Sequence, residues 1–172
     1  MNSAGDALNV YDEVLYPPTS FPQTHPNRLA TIAFLRGLQP APINNCRVLE
    51  LGCGVGSNIV GMAFQLPASE FIGPDLARRP IESGQNFVKE LGLSNVTLYQ
   101  IDVCEADSER FGRFDYIIAH GLYSWVPQPV RDALLKLCAR ALTPHGVAMI
   151  SYATYPGGFI EQLIRAGKKS GG

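Results

Sequence analysis

The 172-residue chain lacks several features that would fix a role at once. Its four cysteines, Cys46, Cys53, Cys104 and Cys138, form no CxxC pair and no spacing suited to a metal, so no metal site is expected. Three of them lie in or beside apolar runs, which fits small buried hydrophobes in a reducing compartment. Lys plus Arg total 14 against 15 for Asp plus Glu, a net charge of -1. The basic pairs Arg78-Arg79 and Lys168-Lys169 stand isolated, so the electrostatic footprint of a nucleic-acid binder is missing. No apolar run approaches the ~18 residues of a membrane span, and no charged-then-apolar leader opens the chain. These absences lead to the expectation of a cytoplasmic protein without a membrane partner.

What remains is 46% apolar, enough for one domain with one core. Residues 1–23 are rich in Pro, Tyr and small polar residues and read as an extended arm. "THPNRLATIAFLRGLQP" then reads as a helix, with Thr24 as N-cap, Pro26 in the first turn and Gly37 and Pro40 at the exit. After a Pro/Asn linker at 40–45 come five strand candidates: "CRVLELG" (46–52), "EFIGPD" (70–75), "VTLYQID" (96–102), "FDYIIAH" (114–120) and "GVAMISY" (146–152). Helical patterns over 57–66, 76–92 and 127–142 separate them, and "CEADSERFG" has room for a short turn of helix. Alternating strands and helices predict an α/β domain: a doubly wound, Rossmann-like parallel sheet of about five strands with helices on both faces. Ligands of such sheets sit at the carboxyl ends of the strands, where the strand order reverses.

"RVLELGCGVGSN" (47–58) is the sharpest local signal. Three glycines at alternate positions after a strand bring backbone close to a nucleotide-like ligand. Glu50 lies two residues ahead of the first of them. A carboxylate there opposes a pyrophosphate and suits a ligand with positive charge, such as the sulfonium and ammonium of S-adenosylmethionine. On this reading the glycines serve closeness alone. Asp75 ends the second strand and can accept from two ribose hydroxyls. Asp102 ends the third and can accept from an adenine amine, while the Val103 N–H donates to a ring nitrogen. Each Asp taken singly also reads as a turn or helix cap.

"VLELGCGVGSN", "FIGPDLA", "LYQIDV", "FDYIIAHGLYSWVP" and "LTPHGVAMISY" resemble, in order, the motifs of class I S-adenosylmethionine-dependent methyltransferases. The likeness runs from about residue 46 to 152. The flanking "YDEVLYPPTSFPQTHPNRLATIAFLRGL" and "SYATYPGG" resemble a narrower bacterial group in which this core precedes a methyltransferase regulatory domain, and some relatives of that architecture methylate protein lysine. The resemblance implies S-adenosyl-L-methionine as cofactor. It also implies cofactor contacts at Glu50, Gly52, Cys53, Gly54, Gly56, Asn58, Asp75, Leu76, Asp102, Val103, Ala119 and His120, with Thr24 and Tyr16 of the arm. Residues 1–45 are expected to form a cofactor lid and residues 46–172 a core cut short of the family's closing antiparallel hairpin, with any regulatory domain absent. Family members carry an aliphatic residue where this chain has Pro74, which is tolerable only if ladder pairing has ended there. The tail "GGFIEQLIRAGKK" reads as one more helix.

Methyl transfer is an in-line displacement, so the protein must orient the acceptor and, for a charged amine, remove a proton. Beyond the fourth strand, His120 is the candidate base, against a reading in which it only packs. Tyr123, Trp125, Tyr152 and Tyr155 are candidate acceptor contacts. The absence of "NPPY" argues against amino-methylating DNA enzymes. The acceptor, a protein lysine or a small molecule, is open from the sequence. Two other readings stay open as well: a binding module without turnover, and a nicotinamide oxidoreductase, which fits poorly with Glu50 and with Asp102-Val103.

Overall fold

The five β-rich runs form five parallel strands: β1 (Arg47–Glu50), β2 (Glu70–Asp75), β3 (Val96–Gln100), β4 (Phe114–Ala119) and β5 (Leu142–Ile150). The computed structural model describes residues 19–106 and 108–154. Tyr16, Tyr155 and the helix expected in "GGFIEQLIRAGKK" lie outside the described residues. The helices are α1 (Pro26–Leu35), α2 (Ser57–Gln65), α3 (Arg78–Glu90), the single turn α4 (Ser108–Phe111) and α5 (Gln128–Ala141). Three-residue 3-10 turns occur at Pro22–Thr24, Ile43–Asn45 and Tyr123–Trp125.

The strand order is β3-β2-β1-β4-β5, so it reverses between β1 and β4. Parallel pairing requires crossovers, and these cover both faces of the sheet. Successive residues therefore enter opposite cores. Val48 packs with Leu29 of α1, Ile59 and Met62 of α2 and Ile81 of α3. Leu49 packs on the other face with Phe111 of α4 and Leu134, Leu137 and Ala141 of α5. Among the described residues β5 pairs only with β4 and forms an edge of the sheet. None of the described helices is long and apolar enough to cross a membrane.

The third strand stops at Gln100, so Asp102 lies two residues beyond its end rather than in it; three further differences bear on the site. The N-cap of α1 is His25, whose Nδ1 accepts from the Asn27 N–H at 3.1 Å. Thr24 instead closes the preceding 3-10 turn and is fully buried. Second, β5 begins at Leu142, not 146, because the ladder with β4 jumps from Phe114↔Leu142 to Tyr116↔Val147. Pro144 falls inside that irregularity, where its missing N–H breaks no regular rung. Third, pairing does not stop at Pro74: β2 stays in register with β3 through Pro74↔Tyr99 and Asp75↔Gln100. The proline is tolerated because a residue's N–H and C=O point to the same neighbour in a parallel ladder. The Pro74 carbonyl faces the β1 side, where it accepts from Gly52 N–H at 2.9 Å. On that side the paired register has already ended at Leu49↔Ile72.

Candidate functional site

The carboxyl ends of β3, β2 and β1 lie side by side, and with them Asp102, Asp75 and Glu50. Between β1 and α2 the chain turns through Gly52, Gly54 and Gly56, all with positive φ (71°, 57° and 75°). The glycines are therefore required by backbone conformation, not by closeness to a ligand alone. Gly56 has both needs: it is the N-cap of α2, and a Cβ there would lie 2.8 Å from Leu98 Cδ1. A Cβ on Gly54 would meet nothing within 4 Å, so this stretch of backbone faces open space. From beneath, α3 supports the loop. Gly84 allows this, because a Cβ on it would collide with the Val55 carbonyl.

Glu50 is 5% exposed. Its Oε1 accepts from Asn58 Nδ2 at 2.6 Å. Its Oε2 is buried and has no hydrogen-bond partner. Burial pushes the carboxyl up to about 7, and the nearby Asp75 charge pushes the same way; Asn58 and the Ile59 amide pull it down. A buried carboxylate oxygen without a donor is strongly disfavoured. It is chemically matched to a cationic donor. Cys53, beside both acids, has its thiol pushed well up, first by burial and then by the Asp75 and Glu50 charges.

Asp75 braces the loop. Its carboxylate accepts from Gly54 N–H at 2.7 Å and from Ala77 N–H at 2.8 Å. Leu76, next to it, is half-buried. Asp102 makes a tight turn, accepting from Cys104 N–H at 2.8 Å. Val103 is buried and borders a cavity of about 340 Å³ that reaches Pro129 and Leu137 of α5. Ala119 is packed in the core, and its carbonyl accepts from Ser151 N–H at 3.0 Å.

Asn58 is 4% exposed and Thr24 0%. Asn58 Nδ2 donates to Thr24 Oγ1 at 3.0 Å, and its Oδ1 accepts from Phe21 N–H at 2.8 Å. Thr24 Oγ1 donates to the Phe21 carbonyl at 2.8 Å. The Phe21 ring meets the His120 ring edge-on, with centroids 4.3 Å apart. Phe21 was not singled out from the sequence: an apolar residue between prolines carries no periodic signal. Burial lowers the His120 imidazole below its usual value, and its buried Nδ1 has no partner.

The acceptor candidates come together on two joined loops. Gly121 N–H donates to Ser151 Oγ at 2.8 Å, and Ala153 N–H donates to Ser124 Oγ at 2.7 Å. Tyr152 lies between these two ties and is 67% exposed. Tyr123 and Trp125 occupy the half-buried turn opposite, held by Arg131, whose Nε donates to the Val126 carbonyl at 3.0 Å. The guanidinium also stands 5.6 Å from the Tyr123 ring centroid.

Residues 48–146, more than half of the chain, match the family described as methyltransferase domain. An uncharacterized protein of Rickettsia prowazekii is 42% identical over 155 residues, which cover 90% of this chain and 62% of that protein. The structure of PKMT2 from Rickettsia typhi in complex with AdoHcy superposes with a TM-score of 0.83 at 39% identity, over 88% of this chain and 29% of that one. A ubiquinone biosynthesis O-methyltransferase of Paracidovorax citrulli is 28% identical over 64% of this chain and 45% of its own length. This chain thus spans less than two thirds of the length of each. With the sheet order, the glycine loop and the acid ahead of it, these matches establish that the chain belongs to the class I S-adenosylmethionine-dependent methyltransferase family.

Proposed function

We propose that this chain binds S-adenosyl-L-methionine along the carboxyl edge of β1–β3 and transfers its methyl group to an acceptor on the Tyr123–Trp125 and Tyr152 loops. The observation that carries this reading is the buried, unpartnered Oε2 of Glu50 beside the open glycine loop. An ammonium donor supplies what that oxygen lacks. The family match and the AdoHcy complex of the Rickettsia typhi relative support the same cofactor. When bound, the cofactor supplies an activated methyl group on a sulfonium. Glu50 then anchors the cationic end. Gly52–Gly56 present backbone to it, with Gly54 and Asp75 shaping the ribose side. Asp102 and the Val103 N–H address the adenine.

His120 is the proposed base for an ammonium acceptor. Its lowered value keeps the imidazole neutral at physiological pH, with Nδ1 able to accept a proton. We read the acceptor as a protein lysine. The exposed Tyr152 and half-buried Tyr123 and Trp125 form an open platform suited to a side chain on a protein surface. A small molecule is the other outcome of the test. The four free thiols support a cytoplasmic setting. A second reading is a module that binds the cofactor without turnover.

Calorimetric titration with S-adenosylhomocysteine, followed by labelled methyl transfer to cell extract, tests both steps. Binding with label in protein supports the full reading, and label confined to small molecules moves the acceptor. Binding without transfer leaves the module. A thermal shift with NADH and none with S-adenosylhomocysteine refutes the cofactor assignment.

A further inference from the structure

The segment Thr19–Thr24 lies at the β1/β4 switch, where the side chain of Asn58 joins it to Glu50. Asn58 has every polar position occupied. Phe21 N–H donates to its Oδ1 at 2.8 Å, and its Nδ2 donates both to Thr24 Oγ1 at 3.0 Å and to Glu50 Oε1 at 2.6 Å. Thr24 Oγ1 closes a ring of hydrogen bonds by donating to the Phe21 carbonyl at 2.8 Å. The directions in that ring are fixed. A backbone N–H can only donate, so the amide oxygen of Asn58 must face Phe21. Its NH2 group must then face Glu50. The segment thereby decides which end of Asn58 the carboxylate meets, and Oε2 is the oxygen left without a partner.

Apolar packing does not hold the segment in place by itself. One side of it borders a cavity of about 410 Å³ that runs between α1 and α2, lined by Phe21, His25, Gly61 and Met62. Phe21 is only half-buried. Its ring rests on His120 at 4.3 Å, at the end of the strand that pairs with β1. The polar ring through Asn58, this aromatic contact and the Ser57 hydroxyl, which donates to the Thr19 carbonyl at 3.4 Å, tie it to the rest of the fold.

We propose that Asn58 and Thr24 are positioning residues that couple the cofactor-anchoring Glu50 to the Phe21 strap, so that a ligand on Glu50 orders the strap and seats His120. The inference rests on the cofactor reading above. A cation on Oε2 fixes the carboxylate. This fixes Oε1 as acceptor for Asn58, and Asn58 in turn holds the Phe21 amide and the Thr24 hydroxyl. Phe21 then sets the face of His120 turned toward the acceptor loops. Neither Asn58 nor Thr24 needs to touch the ligand, in keeping with their burial.

The test is amide hydrogen exchange across residues 19–25 of the whole chain, with and without S-adenosylhomocysteine, alongside calorimetric affinity. In the wild type the ligand is expected to slow exchange of the Phe21 and Thr24 amides about tenfold or more. Thr24→Val keeps shape and removes the hydroxyl. It is expected to weaken binding about tenfold and to cut the ligand-dependent slowing severalfold, because only the Phe21 N–H bond to Asn58 then links the strap to Glu50. Thr24→Ser is expected to restore both, which separates coupling from packing. Asn58→Ala, if folded, repeats the loss. Wild-type binding with unchanged strap exchange overturns the coupling and leaves the cofactor reading intact. So does a Thr24→Val chain with full affinity and full protection. No binding at all by the wild type overturns the cofactor reading, and this inference with it.

Discussion

Asn58 Nδ2 meets Glu50 Oε1 at 2.6 Å inside the carboxyl edge of the sheet, a side-chain donor on one oxygen of a carboxylate whose other oxygen, Oε2, has no partner. Glu50→Gln is the direct probe of this asymmetry. It removes a charge that burial disfavours while keeping nearly the same shape. Holding the charge at neutral pH costs the fold on the order of 3 kcal/mol, because a carboxyl held near 7 in the fold ionises near 4.5 in the unfolded chain. Glu50→Gln is therefore expected to be as stable as wild type or more so in urea titrations at pH 8. Its affinity for S-adenosylhomocysteine is expected to fall at least about tenfold. Equal affinity with equal stability would remove Glu50 from the site.

Glu50 also sets a pH dependence of opposite sign for stability and for binding. The folded value lies above the unfolded one, so the contribution to stability is greatest below the ordinary carboxyl range and is lost as pH rises toward about 7. Asp75 from β2 adds repulsion in the same direction, and the neighbouring Cys53 thiol stays protonated across this range. A cationic ligand requires the charged form. Affinity is expected to rise by up to about tenfold per pH unit between pH 5 and 7 and then level off. Calorimetry at pH 6 in buffers of different protonation enthalpy should show release of up to about one proton. A pH-independent affinity with no proton release contradicts this.

Asp75 is expected to matter even without ligand, since its carboxylate holds the Gly54 and Ala77 amides. Asp75→Ala strands two donors and should destabilise by about 1–3 kcal/mol in denaturant unfolding, besides lowering S-adenosylhomocysteine affinity. Asp102→Ala loses one amide contact in a partly exposed turn and should cost under about 1.5 kcal/mol. The ordering is the checkable point.

Gly84→Ala tests the support beneath the glycine loop. Helix propensity alone favours alanine by ~1 kcal/mol. The new Cβ would instead meet the Val55 carbonyl and the Leu98 side chain. Net destabilisation of about 1–3 kcal/mol is expected, with weaker ligand binding as the loop is displaced. A neutral or stabilising result would mean that α3 shifts freely under the loop.

His120→Gln separates a base from a packing role. With the lysine acceptor proposed above, loss of turnover of about 10²-fold or more with cofactor affinity unchanged supports proton transfer. Equal loss in affinity and turnover assigns His120 to seating Phe21.

The sequence by itself determined the class of fold, because each strand carries its apolar run and each helix its period, and both signals are local. "EFIGPD" became β2 with the expected bounds, and the helix expected over 57–66 became α2. The alternation of elements also placed Glu50 and Asp75 at strand ends; Asp102 lies in the turn just past one. Tertiary structure alone decided what those ends do. Pro74 sits within a paired strand because its carbonyl side faces the frayed end of β1, a relation between strands that no linear pattern contains. Thr24 is a buried hydroxyl bonded to Asn58, 34 residues away, not the cap of its own helix. Phe21 reaches His120 across about a hundred residues of chain. Patterning fixes which surfaces are buried, over distances of a few residues. The partner of a buried polar group is fixed only when the folded sheet brings distant segments to one edge.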